Sequence, residues 1–181
     1  GTIGSLVTAA DTVAKEYTDD YEILVIDDGS TDHSRELLTE LKGKYPNLKL
    51  IFHERNQGYG GALKSGFYNA TKDLVFYTDG DGQYDVFELR RLIPVMQEGI
   101  DIVNGYKIDR SDPLHRKIIG TTYLRFMRLL FNFHVRDVDC DFRLMRREIF
   151  SKVQLHHTSG VICLELVKKL ELAGYRFADF P

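Results

Sequence analysis

Two short apolar runs in this chain each break off in a pair of acids, and that limits the folds open to it. Residues 21–26 lead into Asp27-Asp28-Gly29-Ser30, and residues 73–78 lead into Asp79-Gly80-Asp81-Gly82. Runs this short and this apolar read as strands covered on both faces of a sheet. Helical spacing fills the intervals. Residues 5–17 carry Leu6, Ala9, Ala10, Val13 and Ala14 on one face. Thr31 or Asp32 can cap a helix with Leu37, Leu38 and Leu41 inward, which Gly43 and Pro46 stop. Residues 48–53 read as a strand. The glycine-rich turn at 57–61 opens a helix over 62–70. An amphipathic helix follows at 86–97, then a strand at 100–104. Pro113 opens a long basic-apolar helix over 114–131. Residues 137–147 read as a loop and short strand, 161–173 as a helix closed by Gly174, and 175–180 as a last strand.

Alternating strands and helices predict an α/β domain with a mostly parallel sheet and helices on both faces. Ligands bind such sheets beyond the carboxyl ends of the strands, so both acidic pairs should share one rim. No repeat, low-complexity stretch or linker divides the 181 residues, and a single domain is expected.

Composition narrows the class. Hydrophobic residues at 43% and charged residues at 28% suit a globular chain. No apolar run reaches the roughly 20 residues of a membrane span, and no signal peptide is visible. The two cysteines, Cys140 and Cys163, form no CxxC pair, so buried thiols are expected rather than zinc or a disulfide. The net charge of -3 is uneven: residues 1–106 hold 10 Lys/Arg against 18 Asp/Glu, and residues 107–147 hold 10 against 5. A basic segment beside an acidic body suits an anionic partner docking on one side. No nucleic-acid partner is expected, and the sequence does not indicate an oligomeric state.

The acids carry the chemistry. Asp79 and Asp81 flank a glycine, which lets both carboxylates face one point, and Gln83 adds a carbonyl oxygen. Oxygen ligands of this kind suit a hard divalent cation, since Mg²⁺ usually takes one or two carboxylates plus substrate phosphates. A polar turn would use the same residues. An EF-hand would need a closing Glu at position 90, which is Arg90. At the other strand end, Asp27 or Asp28 can accept from a base N–H or a ribose hydroxyl. The glycine turn is neither a dinucleotide fingerprint, because position 63 is Leu63, nor a P-loop, because no Gly-Lys-Ser/Thr closes it. His33, His53, His134, His156 and His157 form no ligand set by spacing. Glu165, in an amphipathic helix, reads as structural or orienting.

Three motifs in order are Val25-Ile26-Asp27-Asp28-Gly29-Ser30-Thr31-Asp32, Asn56-x-Gly58-x-Gly60-Gly61-Ala62 and Asp79-x-Asp81-x-Gln83. Together they resemble the family 2 inverting glycosyltransferases, whose GT-A fold is Rossmann-like. Segments 101–107, 115–119, 139–144 and 174–181 are most similar to the branch that uses polyprenyl phosphate acceptors, the dolichol-phosphate mannose synthases and bacterial polyprenyl-phosphate sugar transferases. The resemblance implies a nucleotide-sugar donor (UDP- or GDP-linked), a Mg²⁺ or Mn²⁺ cofactor, and a polyprenyl phosphate acceptor at the cytoplasmic face of the membrane. It implies that Asp27, Asp28, Gly58, Lys64, Asp79 and Gly80 line the nucleotide, and that Asp79, Asp81 and Gln83 hold the metal. Lys107 and Arg116 would face the phosphates, and Asp139 or Asp141, with Arg143, the acceptor. Family members begin with a strand carrying Pro and Asn-Glu that is missing here. Lys107 stands where an Arg is frequent, Gly120 where some members carry Ser, and the Gln-x-x-Arg-Trp signature of processive synthases is absent.

Other readings predict other results. With a sugar hydroxyl as acceptor, as in polysaccharide synthesis, Asp141 or Asp139 would serve as base. A phosphoacceptor receiver domain would use Asp27, Asp28, Asp79 and Lys107 but leave Asp81, Gln83 and residues 139–143 without a role. The helix over 114–131 can lie in a headgroup layer or pack as a core helix with a basic outer face.

Overall fold

The computed structural model describes residues 2–106, 135–138 and 140–180. Lys107, Arg116, Asp139 and the basic segment 114–131 lie outside the described residues. The elements run α1 (Thr2–Tyr17), β1 (Ile23–Asp27), α2 (Ser34–Lys44), β2 (Leu48–Phe52), α3 (Tyr59–Asn69) and β3 (Leu74–Thr78). A broken helical segment follows, α4 (Leu89–Leu92) between the 3₁₀ turns Val86–Glu88 and Ile93–Val95. The chain ends with β4 (Ile102–Gly105), β5 (Phe142–Arg146), α5 (Ile149–Lys152), α6 (Val161–Leu172) and β6 (Phe177–Phe180).

β1 and β2 pair in parallel, Ile23 opposite Leu48 and Asp27 opposite Phe52. The second sheet has the order β3-β5-β4-β6. Here β5 runs antiparallel to both neighbours, with Leu144 opposite both Phe76 and Val103, while β4 and β6 are parallel. The α/β architecture with parallel strands and helices is as expected, with one antiparallel strand inserted at the centre of this sheet. Alternation of helix and strand implies parallel pairing only where a helix crosses over. The hand of a strand entered from residues 135–141 is set by the path of that segment, which periodicity does not encode.

Strand alternation distributes the core. Val75, Tyr77, Ile102 and Met145 point to one face and pack with Phe67 of α3, Phe150 of α5 and Ile162, Leu166 and Leu170 of α6. Val103, Phe142 and Leu144 point to the other and pack with Phe76, Leu89, Leu92 and Ile93. Both faces are thus buried, which is why β3 reads as a nearly unbroken apolar run. Val7 of α1 and Leu38 and Leu41 of α2 cover Leu48, with Ile23 and Val25 beside them.

Two local expectations change. Residues 86–97 do not form one helix, because Pro94 offers no N–H and disfavours helix at its predecessor. His33, not Thr31 or Asp32, occupies the N-cap of α2, although Asp32 Oδ1 still accepts from Ser34 N at 3.0 Å. Among the described strands, β1 and β3 each pair on one side only. No described helix is long and apolar enough to cross a membrane.

Candidate functional site

Asp79 and Asp141 come together at one rim because β5 is antiparallel to β3, and the turn that opens α3 connects them to Asp28. Thr78, the last residue of β3, is paired with Phe142, the first of β5. Asp79 therefore leaves the sheet where Asp141 enters it. The amino-terminal turn of α3 joins this point to the end of β1. Gln57 N donates to Asp28 Oδ1 at 2.8 Å, and two residues on, the Tyr59 hydroxyl donates to Asp141 Oδ1.

Asp27 is buried, and its Oδ1 accepts from Arg35 Nε at 2.7 Å and Ser30 N at 3.2 Å. Burial by itself would raise its pKa, but the hydrogen bonds from Ser30 and Arg35 outweigh that and hold it below the usual carboxylate range. Asp28 behaves likewise, with His53 and the N–H groups of Gln57 and Gly58 overcoming its desolvation. Both carboxylates are therefore ionised at neutral pH and act as fixed acceptors.

Asp81 is exposed, and its Oδ1 accepts from Gln83 N at 2.9 Å. Gly82, at φ +78°, turns the chain so that Asp79, Asp81 and Gln83 follow one another within a single tight loop. No cluster of three or more His, Cys, Asp and Glu able to hold a metal occurs among the described residues. The donor set still fits a hard cation, because two carboxylates and an amide oxygen leave coordination positions for phosphate oxygens. Gly82 and Gln83 also line an open cavity of about 650 Å³, bounded by Thr2, Ser5 and Leu6 of α1 and by Tyr84. That is within the usual size range of small-ligand sites.

Tyr59 is held protonated by burial, with Tyr77, Cys163 and Asp141 nearby, so its hydroxyl remains a donor to Asp141. Cys163 Sγ lies 3.6 Å from the same oxygen. Asp141, only partly buried, is thus oriented from behind.

Arg143 differs from the expectation. It is 1% exposed, and its Nε, Nη1 and Nη2 donate to Asn104 Oδ1, the Tyr77 hydroxyl at 2.7 Å and the Val138 carbonyl. It therefore ties β3, β4 and β5 together instead of facing an acceptor. Its position on β5 places it one residue inward from the strand end, on the covered face.

Gly58 and Lys64 lie against the backbone of residues 156–158. Gly58 has φ +82°, and a Cβ on it would lie 2.6 Å from Thr158 O; one on Gly60 would lie 2.7 Å from His157 O. Gly60 N donates to Thr158 O at 2.7 Å, and Lys64 Nζ to His156 O at 3.1 Å. The glycines let the turn approach the backbone of residues 156–158, and Lys64 is directed to that segment. Glu165 explains why the segment stands there: its carboxylate accepts from His156 N, His157 N and Lys169 Nζ, at 2.7–3.0 Å.

Burial opposes ionisation of Glu165, but Lys169 and the two N–H groups bring its pKa from 4.5 down to about 2. A carboxylate with a depressed folded pKa adds stability that is full above its unfolded value and lost as pH falls through the folded one. Glu165→Gln is therefore expected to flatten the decline in urea midpoint between pH 4.5 and about 2. An unchanged acid limb in the variant would remove Glu165 from this role.

The glycosyl transferase family 2 profile matches residues 4–154. This chain belongs to glycosyl transferase family 2. It is similar to undecaprenyl-phosphate 4-deoxy-4-formamido-L-arabinose transferases. The protein of Pectobacterium atrosepticum is 33% identical over 138 residues, 76% of this chain and 42% of that protein. That of Klebsiella pneumoniae is 32% identical over 159 residues, 87% of this chain and 49% of that protein. The chain thus spans less than half the length of these curated relatives. In fold it is similar to glucosyl-3-phosphoglycerate synthase from Mycobacterium tuberculosis in complex with Mn²⁺, UDP and phosphoglyceric acid. That likeness has a TM-score of 0.71 at 19% identity, over 99% of this chain and 63% of the other. Family membership sets the receiver-domain alternative aside.

Proposed function

We propose that this chain is the catalytic domain of an enzyme that transfers a sugar, with inversion, from a nucleoside diphosphate to a polyprenyl phosphate. The observation that carries this reading is that Asp79 leaves β3 where Asp141 enters β5, while the turn that opens α3 touches both Asp28 and Asp141. The names of the curated relatives support the lipid phosphate as acceptor, and the Mn²⁺ and UDP bound in the fold neighbour support the donor and metal class.

In this reading Asp27 and Asp28 accept from the nucleoside, and Asp79, Asp81 and Gln83 hold Mg²⁺ or Mn²⁺. When bound, the metal supplies positive charge against the leaving diphosphate. An acceptor phosphate oxygen attacks the anomeric carbon, the bond from that carbon to the diphosphate oxygen breaks, and its electron pair leaves with the nucleoside diphosphate. A phosphate nucleophile is already anionic, so a general base is not required. Lys107 and Arg116 supply the cations that bring two anions together, and Asp141, held by Tyr59, orients the acceptor side. The mixed basic and apolar composition of residues 114–131 suits a headgroup layer, where a lipid phosphate acceptor lies.

The test is turnover of UDP- and GDP-sugars against undecaprenyl phosphate and against sugar hydroxyl acceptors, in the wild type and in Asp141→Asn. The expected product is a polyprenyl-phosphate-linked sugar of inverted configuration, formed with a pH–rate profile that shows no dependence on a general base. Transfer to hydroxyls alone, abolished in Asp141→Asn while donor binding persists, would assign the acceptor as a hydroxyl and Asp141 as its base.

A further inference from the structure

We infer that His53 is a positioning residue for the nucleotide site: its imidazole holds the Asp28 carboxylate in place, and Ser65 sets the tautomer of the ring. The inference rests on the reading of Asp28 as a nucleoside ligand.

His53 follows directly on β2 and is 6% exposed. Its ring is used on both nitrogens. Nδ1 lies 2.6 Å from Asp28 Oδ1, and Nε2 lies 2.8 Å from Ser65 Oγ on α3. An ionised carboxylate only accepts, so Nδ1 carries the hydrogen. In the neutral ring Nε2 must then accept, and the Ser65 hydroxyl is its donor. The ring therefore has no nitrogen left for a metal or a substrate proton. What it can do is fix the carboxylate.

The main chain of His53 serves the neighbouring acid. Its N–H donates to the Asp27 carbonyl at 2.9 Å. Its own carbonyl accepts from Arg35 Nη2, while Arg35 Nε donates to Asp27 Oδ1 at 2.7 Å. One residue thus braces both acids at the end of β1, and the register that pairs Asp27 with Phe52 puts it there. With Gln57 N also on Asp28 Oδ1, that oxygen is held from two sides. The Asp28 side chain is 18% exposed, so part of the carboxylate remains open toward solvent. A carboxylate fixed before binding loses less conformational freedom on meeting its ligand, and that difference appears as affinity.

Asparagine and glutamine separate this role from general packing. The amide nitrogen of Asn reaches about where Nδ1 lies, and that of Gln about where Nε2 lies. UDP and GDP binding is measured by calorimetry with Mn²⁺, and thermal midpoints are recorded for every variant. His53→Leu and His53→Gln are expected to weaken binding of the preferred nucleotide by roughly 10-fold or more, the usual consequence of losing a hydrogen bond to a charged group. His53→Asn should stay within about threefold, because it retains the donor to Asp28. In an Asp28→Ala background, His53→Leu should add nothing.

Wild-type affinity in a folded His53→Leu would overturn the inference. So would a parallel fall in affinity and thermal midpoint in all three variants, or an undiminished effect of His53→Leu in the Asp28→Ala background, since both are what packing alone produces. If His53→Leu does not fold, the contrast between Gln and Asn decides. If Asp28→Ala binds nucleotide as the wild type does, the nucleoside reading of Asp28 fails, and this inference falls with it; a loss in Asp28→Ala without one in His53→Leu rejects only the role of His53.

Discussion

Replacing Asp81 by alanine is expected to abolish metal-dependent nucleotide binding while leaving the fold intact. Asp81 is exposed, and its described hydrogen bond is the one it accepts from Gln83 N. Its removal should therefore cost about 0.5 kcal/mol of stability or less, the range of surface substitutions without special contacts. The effect on ligand binding is of another order. Losing just an outer partner of a metal ligand commonly costs 10- to 100-fold in metal affinity, so loss of a carboxylate ligand should cost about 100-fold or more. Calorimetric titration of UDP and GDP with and without Mn²⁺, on the wild type and Asp81→Ala, measures this. Binding of one nucleotide that requires Mn²⁺ and disappears in the variant is the expected result, and it also identifies the base. Equal Mn²⁺-dependent binding by the two proteins would move the metal away from the Asp79–Gln83 loop.

Arg143→Leu is expected to be the most damaging of the substitutions to stability. It would leave Asn104 Oδ1, the Tyr77 hydroxyl and the Val138 carbonyl without the donor they share. Each buried polar group left unpaired costs about 1–3 kcal/mol, and the Tyr77 hydroxyl can turn to a new partner, so a total of about 3–5 kcal/mol is expected. For a domain of this size that corresponds to a fall of roughly 6–20 °C in Tm. Arg143→Lys should not restore it, since one ammonium cannot reproduce a planar fork that reaches three acceptors on different segments. Urea unfolding gives the measurement. A variant that keeps its stability but loses turnover would return Arg143 to the acceptor side, where the sequence had placed it.

The Arg143 case shows what kind of information periodicity carries. The family resemblance put Arg143, two residues after Asp141, near the acceptor. On β5, the alternation of side chains and the helices above it decide that it points into the protein. Gly58 and Lys64 are parallel cases. A glycine-rich turn before a helix suggests backbone approaching a ligand, and the described close approach is to the carbonyls of residues 156–158. Glycine reports that something comes near, not what it is.

The elements themselves were open to reading, because each depends on its own few residues. Apolar runs bounded by acids, glycines or prolines mark β1, β2 and β3, and helical spacing marks α1, α2, α3 and α6 to within about three residues. The acids at the ends of β1 and β3 could be assigned to a rim for the same reason. Whether residues 142–146 run with or against their neighbours was beyond local reading. Strand direction depends on the path of the connection and on which partner offers free N–H and C=O groups, and both are properties of the folded chain. That one choice brings Asp141 beside Asp79. The brace of Asp28 by His53 and Ser65 spans 25 and 12 residues respectively, distances over which no pattern in sequence connects a histidine to a carboxylate. Sequence by itself determined which acids the protein can offer a ligand; the tertiary structure decided which of them meet, and which neighbouring side chains hold them still, because hydrogen bonds between distant segments form only after the sheet and helices have packed.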